Sequence, residues 1–305
     1  MLLKRLNKKH TPSANFHELL ADLEQIRKYG DRLVLYGQST GPNWLGINIA
    51  TTLLFPKDSL EIPQNFSSCM LSSNQQKALL NRIIVLDFDT VIFSGFADYG
   101  VSWVQQLKDR SKVEVVYHGT FAELYHPKNQ QRFSEITELA KKGDIKKVGF
   151  IKKDMAETIE SILGFDCYCL DMPRPDIKPL ESKIKLDPNF IHIGVFGGDT
   201  FNKNLHNQVA HALLIKKSIV HVADKRPFGY LGQDRRLVEH GKNLPRGKFL
   251  KVLGSMDLNL YCSYSESWGL VVVESEAMGV PCLGPIDFDY IGAIEKIVRS
   301  PKAGH

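Results

Sequence analysis

Short apolar runs alternate with helix-spaced segments along most of the chain, and this alternation restricts the fold more than any other feature of the sequence. Short, continuous apolar runs are typical of fully buried strands, whereas apolar residues three or four positions apart are typical of one helix face. Where the two kinds of segment alternate, the strands pair in parallel and helices cover both faces of the sheet. The sequence therefore predicts an α/β protein.

The predicted elements form two series separated by a proline-rich stretch. In the first series, strands are predicted over 32–36, 82–92, 112–117, 147–151 and 166–170, with amphipathic helices such as 16–28 and 154–163. In the second, strands are predicted over 191–196, 218–222, 257–262 and 281–283. Residues 171–188 carry four prolines and mixed charge, which excludes a central strand or a helix interior. We therefore predict two domains, residues 1–178 and 189–305, joined by a linker.

The composition excludes several classes of protein. With 305 residues, of which 43% are hydrophobic and 24% charged, the chain is neither disordered nor fibrous. Its five cysteines are an odd number without zinc-site spacing, which favours buried free thiols in a reducing compartment. No apolar run approaches the roughly 20 residues that span a bilayer. We expect a cytoplasmic protein.

Positive charge is concentrated in one part of the chain. The segment from Lys216 to Lys251 contains ten Lys or Arg and three acidic residues. This segment is either a solvated basic surface or a site for a phosphate-bearing partner. A second basic cluster, formed by Lys4, Arg5, Lys8 and Lys9, is either a frayed terminus or a weak contact with acidic lipid at the inner face of a membrane.

The segment from Leu258 to Gly284, LNLYCSYSESWGLVVVESEAMGVPCLG, is the most informative about function. An apolar strand ends in small polar residues, Gly269 interrupts the chain, and a short apolar helix follows. Glu266 and Glu274 lie on opposite sides of this turn into a helix start, where unpaired backbone N–H groups favour a phosphate. A carboxylate can accept hydrogen bonds from the vicinal hydroxyls of a ribose or hexose. The alternative for Glu274 is a buried capping residue.

In this context the Glu266-x7-Glu274 spacing resembles the E-x7-E signature of retaining glycosyltransferases with the GT-B fold, in the family often called family 4 or glycosyl transferases group 1. The aromatic-Gly-Leu residues before the helix and the A-M-G-V-P residues after it strengthen the match. The resemblance implies that Glu266 contacts the donor sugar and Glu274 holds the nucleotide ribose. It also implies that Gly269 and Leu270 adjoin the nucleotide.

A second motif, IHIGVFGGDTFNKNL from Ile191, is a buried strand followed by Gly197, Gly198 and then Lys203. Paired glycines let the backbone approach a diphosphate, and the lysine adds a mobile positive charge. Members of the family usually have an arginine just after the glycine, where this chain has Asp199. We therefore consider Lys225 or Arg226 for the second cation and place Arg226 in the predicted donor site. A plain surface role for both is the alternative.

Two loops of the first domain resemble cleft-facing positions of the same family. His118 follows the strand predicted over 112–117, where the family has a histidine close to the donor sugar; a structural histidine is the alternative. The glycine-bearing segment from Gly37 to Gly46 resembles the first loop of GT-B enzymes. It does not match the G-x-G-x-x-G pattern, so dinucleotide binding is not predicted.

One motif indicates other enzymes. Asp87 and Asp89 at the end of IIVLDFDT match the D-x-D-x-T of haloacid-dehalogenase phosphatases, in which the first Asp is a nucleophile and the second a general acid. They also match the metal-binding D-x-D of GT-A glycosyltransferases. The third interpretation is a strand end with solvated carboxylates, and we favour it.

The resemblance implies two Rossmann-like domains facing across a cleft and a retaining, metal-independent sugar transfer from a nucleotide diphosphate, with a UDP-sugar slightly favoured. No cofactor is expected. The identity of the acceptor stays open, and a saccharide or lipid-linked saccharide is favoured over nucleic acid. Thirty-one residues follow Glu274, fewer than is usual in the family. Three alternatives therefore stay open. The chain is truncated, a partner or second copy covers this end, or the protein binds a nucleotide sugar without turnover.

Overall fold

The computed structural model describes residues 16–39, 44–65, 67–172, 177, 183–231, 234–242, 244–266 and 268–284. Several sequence predictions fall on residues outside these ranges. They are the basic N-terminal cluster, Gly41 of the first glycine-bearing loop, most of the proline-rich linker, and the segment after Gly284.

The first half of the described chain forms a six-stranded parallel sheet. Its spatial order is β2-β1-β5-β6-β7-β8. The strands are β1 Arg32–Gly37, β2 Ser59–Ile62, β5 Thr90–Ser94, β6 Lys112–Tyr117, β7 Lys147–Phe150 and β8 Cys167–Cys169, and a small antiparallel pair, β3 Gln64–Asn65 and β4 Ser68–Cys69, lies beside them. The helices are α1 Phe16–Tyr29, α2 Leu45–Leu54, α3 Ser73–Leu86, α4 Gly100–Leu107, α5 Pro127–Lys141 and α6 Lys153–Leu163.

The second half forms a five-stranded parallel sheet in the order β11-β10-β9-β12-β13. The strands are β9 Ile191–Val195, β10 Ser218–Val222, β11 Leu237–Glu239, β12 Leu258–Leu260 and β13 Cys282–Leu283. The helices are α7 Leu205–Leu214, α8 Arg246–Leu253 and α9 Leu270–Ala277. The predicted α/β class with parallel sheets is confirmed.

Apolar side chains pack into separate clusters for the two sheets. The largest cluster covers the first sheet with residues between Leu19 and Ile159. Two others are formed by residues of the second sheet and its helices, and Ile184 and Leu186 pack against one of these. The proposed domain limits at 178 and 189 stay a prediction.

The strand predicted over 82–92 is wrong. Residues 73–86 form helix α3, which begins with a capping box between Ser72 and Gln75. Leu79, Leu80 and Ile83 are the buried residues of this helix, and their spacing of three to four positions is helical. The four consecutive apolar residues 83–86 at the end of the helix hide this periodicity. The strand begins only at Thr90.

Because the strand begins only at Thr90, Asp87 and Asp89 lie at its amino end and not at its carboxyl end. Asp87 ends helix α3 in the left-handed conformation, with φ of 53°, and Asp89 immediately precedes β5. Both side chains are exposed. A phosphatase nucleophile that follows a strand would lie at the carboxyl edge, whereas these carboxylates lie at the amino edge. The geometry therefore does not support the phosphatase or GT-A interpretations, and it agrees with solvated carboxylates.

Three histidines form one hydrogen-bonded row across the second sheet. His192 Nε2 lies 2.9 Å from the carbonyl oxygen of Asp187, His192 Nδ1 lies 2.9 Å from His221 Nε2, and His221 Nδ1 lies 2.8 Å from His240 Nε2. Because the carbonyl only accepts, each of the three neutral rings donates through Nε2, and His192 and His221 accept through Nδ1. Burial, together with the neighbouring His240 and His192, lowers the pKa of His221 to about 4.

The buried row predicts acid sensitivity of the fold. Unfolded His221 takes up a proton as the pH falls below its ordinary pKa of 6.5, whereas the folded residue stays neutral down to about 4. The free energy of unfolding should therefore decrease across this window as the pH falls. Urea denaturation at about pH 7 and about pH 5 measures the slope of the free energy of unfolding against pH. His221→Asn should flatten it, while His211→Gln on the exposed side of α7 should not; equal slopes in wild type and His221→Asn would contradict the prediction.

None of the five free cysteines is fully buried and Cys169 is exposed, so the expectation of buried thiols is wrong.

Within the described ranges, the helices are too short or too polar to cross a bilayer.

Candidate active site

A cavity of about 930 Å³ lies where the carboxyl edges of the two sheets face each other. Gly95 follows β5 and His118 follows β6 on one side, and Gly197 follows β9 and Tyr261 follows β12 on the other. All strands within each sheet are parallel, so the loops that leave their carboxyl ends collect at one edge. The sequence predicts this convergence, because its candidate residues follow strands.

The glycine turn after β9 presents backbone to the cavity. A Cβ added to Gly198 would meet no atom within 4 Å, whereas one added to Gly197 would lie 3.1 Å from Leu205 Cδ2. A side chain at position 197 would therefore crowd Leu205 of helix α7, and Gly198 leaves open space in which a ligand can approach the chain. Lys203 lies at the end of a short 3-10 turn after this loop, over Phe201–Lys203.

Lys203 and Glu266 form an ion pair in the cavity wall. Lys203 Nζ lies 2.6 Å from Glu266 Oε1 and 3.2 Å from Tyr261 Oη, and it also lies over the Tyr261 ring. Both side chains are largely buried, so this pair is screened less than a surface pair. Burial and the adjacent Glu266 raise the pKa of Tyr261 well above its ordinary value. No local spacing in the sequence indicates this ion pair, because its members lie 63 positions apart.

Glu274 is buried in helix α9, with 1% of its surface exposed. Its Oε1 pairs with the Arg246 guanidinium at the start of helix α8. Its Oε2 is buried and has no hydrogen-bond partner in the described structure. Burial raises the pKa of Glu274, and the neighbouring Arg246 opposes this shift. A buried carboxylate oxygen without a donor is costly, so this atom is available to a ligand that brings a hydroxyl.

Gly269 and Leu270 both line the cavity at the start of helix α9. Gly269 is the N-cap and has φ of 68°, a left-handed conformation that favours glycine. Leu270 Cδ1 lies 3.8 Å from the position of a Cβ added to Gly46 of the first domain. The two domains therefore approach closely at this end of the cavity.

His118 lines the cavity from the first domain. A Cβ added to Gly119 would lie 2.6 Å from the Tyr117 hydroxyl, so the turn after β6 requires glycine at that position. Burial lowers the pKa of His118 to about 4, which leaves the imidazole neutral at physiological pH. His118 can therefore exchange a hydrogen bond with a ligand but does not provide a positive charge.

Arg226 is not brought to the cavity. Its side chain is 76% exposed and pairs with Asp224, which also pairs with Lys242. The cations that line the cavity within the described ranges are Arg132, Lys203, Lys242 and Arg246. Lys242 and Arg246 lie in the basic segment found in the sequence, but nothing there distinguished them from their neighbours.

Sequence reasoning also missed Glu123 on the first-domain side. It lies in the 3-10 turn Phe121–Tyr125, five positions after His118. Glu123 is the one acidic cavity-lining residue that the described first domain supplies. Burial raises its pKa, while the facing Lys203 lowers it and Glu266 raises it. Glu123 therefore lines the same cavity as Lys203 and Glu266 and is close enough to interact with them electrostatically.

The comparisons with known proteins concern the fold. No protein-family model matches the chain, and no curated protein matches it in sequence. Anabaena HepE in complex with UDP-glucose aligns with a TM-score of 0.54 and 13% identity, over 87% of this chain and 82% of that one. Sucrose-phosphate synthase from Thermosynechococcus elongatus aligns with a TM-score of 0.54 and 12% identity, over 88% and 90%. OtsA aligns with a TM-score of 0.51 and 13% identity, over 88% and 92%. These likenesses show the GT-B fold, two Rossmann-like domains with parallel sheets.

Proposed function

We propose that this chain is a retaining, metal-independent glycosyltransferase of the family 4 type, which moves a sugar from a nucleoside diphosphate to an acceptor hydroxyl. One observation supports this proposal: a single cavity is lined by Glu274, the Lys203–Glu266 pair, the glycine turn and His118. A UDP-sugar is the donor we favour, since HepE has been solved with UDP-glucose. The E-x7-E spacing supports retention.

The donor nucleotide is assigned to the second domain. Glu274 Oε2 accepts from a ribose hydroxyl, which provides the hydrogen bond that this buried oxygen lacks. The diphosphate lies against the open backbone at Gly198, with Lys203 beside it. Asp199 stands where the family usually has an arginine, and Arg246 is the cavity cation we assign in place of Arg226.

Positive charge near the leaving group replaces the metal in this proposal. As the glycosidic bond breaks, the diphosphate takes the electron pair and its negative charge grows. Lys203 already lies in a largely buried position, so its interaction with that charge is strong and requires little reorganisation. Glu266 orients Lys203 before the donor arrives and contacts the sugar afterwards.

The acceptor is assigned to the first-domain side of the cavity. Glu123, Asn129 and Arg132 line that side and are polar. Arg132 is held by Asp98 at 2.9 Å, and the amide of Asn129 donates to the carbonyl of Glu123. Hydroxyl-bearing saccharides fit such a wall, whereas the apolar part of a lipid-linked acceptor would have to remain outside it.

A ligand panel tests the donor assignment. Thermal unfolding is measured with UDP, GDP, ADP and the corresponding glucose esters, followed by an assay of nucleoside diphosphate release. A bound nucleotide at 100 times its dissociation constant should stabilise the fold by roughly 2.7 kcal/mol. Stabilisation without release would indicate a nucleotide-sugar-binding protein, and no stabilisation by any member would overturn the proposal.

Metal independence gives a separate prediction. Nucleotide release should survive excess chelator, and it should survive the double substitution Asp87→Asn and Asp89→Asn with only a modest change in stability, because both carboxylates lie at the edge of the sheet away from the cavity. Loss of turnover in chelator that magnesium or manganese restores would contradict metal independence. Loss in the double variant alone, with a normal thermal transition, would return these residues to the reaction.

A further inference from the structure

Two buried hydroxyl groups form a continuous row of hydrogen bonds behind His118. His118 Nε2 lies 2.9 Å from Ser94 Oγ, and Ser94 Oγ lies 2.6 Å from Thr51 Oγ1. Thr51 Oγ1 in turn donates to the carbonyl oxygen of Ile47 at 2.7 Å. Ser94 and Thr51 are both 0% exposed, so water cannot take the place of either group.

The direction of every hydrogen bond in this row follows from its last member. The Ile47 carbonyl only accepts, so the single hydroxyl proton of Thr51 is directed at it. The proton between Ser94 and Thr51 must then come from Ser94. With its own proton committed, Ser94 accepts from His118, and the proton at that contact resides on Nε2.

We infer that Ser94 and Thr51 are positioning residues that hold His118 as the Nε2–H tautomer, so that its Nδ1 accepts a hydrogen bond from a ligand in the cavity. Within the described ranges, His118 Nδ1 makes no hydrogen bond, and the residue lines the cavity. The low pKa of His118 agrees with a neutral ring.

The tautomer restricts the chemistry of the ligand atom that His118 contacts. An Nδ1 lone pair is matched by an O–H or N–H donor and is repelled by a phosphate or carbonyl oxygen. The ligand group is therefore a hydrogen-bond donor, an O–H or an N–H, and identifying it as a hydroxyl of the transferred sugar rests on the proposed function. Ser94 and Thr51 lie on β5 and α2, so the first domain fixes this preference before any ligand binds.

Nitrogen NMR of protein labelled with ¹⁵N-histidine measures the tautomer directly, and loss of signals in His118→Gln assigns them. In the wild type, Nε2 should give the signal of a protonated nitrogen and Nδ1 that of an unprotonated one. Thr51→Val removes the acceptor of the Ser94 proton, so Ser94 can donate to Nε2 and the tautomer should reverse. Ser94→Ala should remove the preference.

The controls separate positioning from a structural role. Thr51→Ser should retain the wild-type tautomer. Thr52→Val should retain it too, since the Thr52 hydroxyl on the same helix bonds to Asn48 and Ile49. An Nδ1–H tautomer in the wild type, or wild-type signals in a folded Thr51→Val protein, would overturn the inference. If Thr51→Val does not fold, the wild-type spectrum and Ser94→Ala decide.

Binding measurements connect the tautomer to the ligand. Thr51→Val should lower the affinity for UDP-glucose at least about fivefold more than it lowers the affinity for UDP. This is the ratio expected for one lost hydrogen bond. Equal effects on both ligands would overturn the sugar contact. No binding of UDP or UDP-glucose to the wild type would instead count against the proposed function and leave the NMR result to decide the tautomer.

Discussion

Replacing Glu274 with glutamine is expected to weaken UDP binding by roughly 1 to 3 kcal/mol, about 5- to 150-fold in the dissociation constant. The physical reason is the Oε2 atom, which is buried and has no hydrogen-bond partner in the described structure. A ribose hydroxyl that donates to this atom makes a charge-assisted hydrogen bond, and glutamine removes the charge while keeping the shape. Titration calorimetry with UDP measures the change.

The neighbouring residues provide the controls. Glu276→Gln, on the exposed side of the same helix, should bind UDP as the wild type does. Arg246→Met tests whether the guanidinium acts through Glu274, because the effects of Arg246→Met and Glu274→Gln should then be strongly non-additive. A Glu274→Gln protein that is folded and binds UDP with unchanged affinity would refute the ribose assignment.

The second large effect is expected at the Lys203–Glu266 pair. Lys203→Met should lower kcat strongly and should also weaken the binding of UDP, because the lysine stabilises a diphosphate whose charge grows in the transition state. Glu266→Gln should leave UDP affinity nearly unchanged and reduce sugar transfer by a factor of about 10² or more, provided that its sugar contact tightens in the transition state. Calorimetry with UDP and transfer kinetics are measured for both variants.

The ion pair decides which substitution is informative. Glu266→Ala would release Lys203, whose Nζ lies 2.6 Å from the carboxylate, and would change both residues at once. Glutamine keeps an oxygen that accepts from Lys203 and is the sharper test. Lys216→Met, in the exposed turn before β10, controls for the loss of one positive charge. Equal loss of UDP binding in Lys203→Met and Glu266→Gln would show that the two roles are wrongly divided.

The same sequence reasoning succeeded and failed for identifiable physical reasons. Strands such as Lys112–Tyr117 and Ser218–Val222 were predicted at their observed positions, because their apolar runs are short and bounded by polar residues. The segment from 82 to 92 joins the last turn of a helix, with the apolar residues 83–86, to the next strand, and so short an apolar run does not distinguish helix from strand. That one error placed Asp87 and Asp89 at the wrong edge of the sheet.

The sequence by itself determined the α/β class and several of the segments that supply the cavity. Their signals are local: Gly197, Gly198 and Lys203 lie within seven consecutive positions, and Glu266 and Glu274 flank one helix start. Strand ends of parallel sheets meet at one edge, so loops that follow strands could be assigned to a site before their partners were known.

Only the tertiary structure decided which side chains meet. Glu274 pairs with a residue 28 positions away, Lys203 with one 63 positions away, and His118 contacts a serine 24 positions away. Contacts over such separations depend on the order of strands and the packing of helices, which no local spacing encodes. For this reason Arg226 was predicted for the donor site, although Arg246 lines the cavity and Arg226 does not. The tautomer of His118 is decided in the same way, by hydroxyls on a helix and a strand that no sequence motif connects.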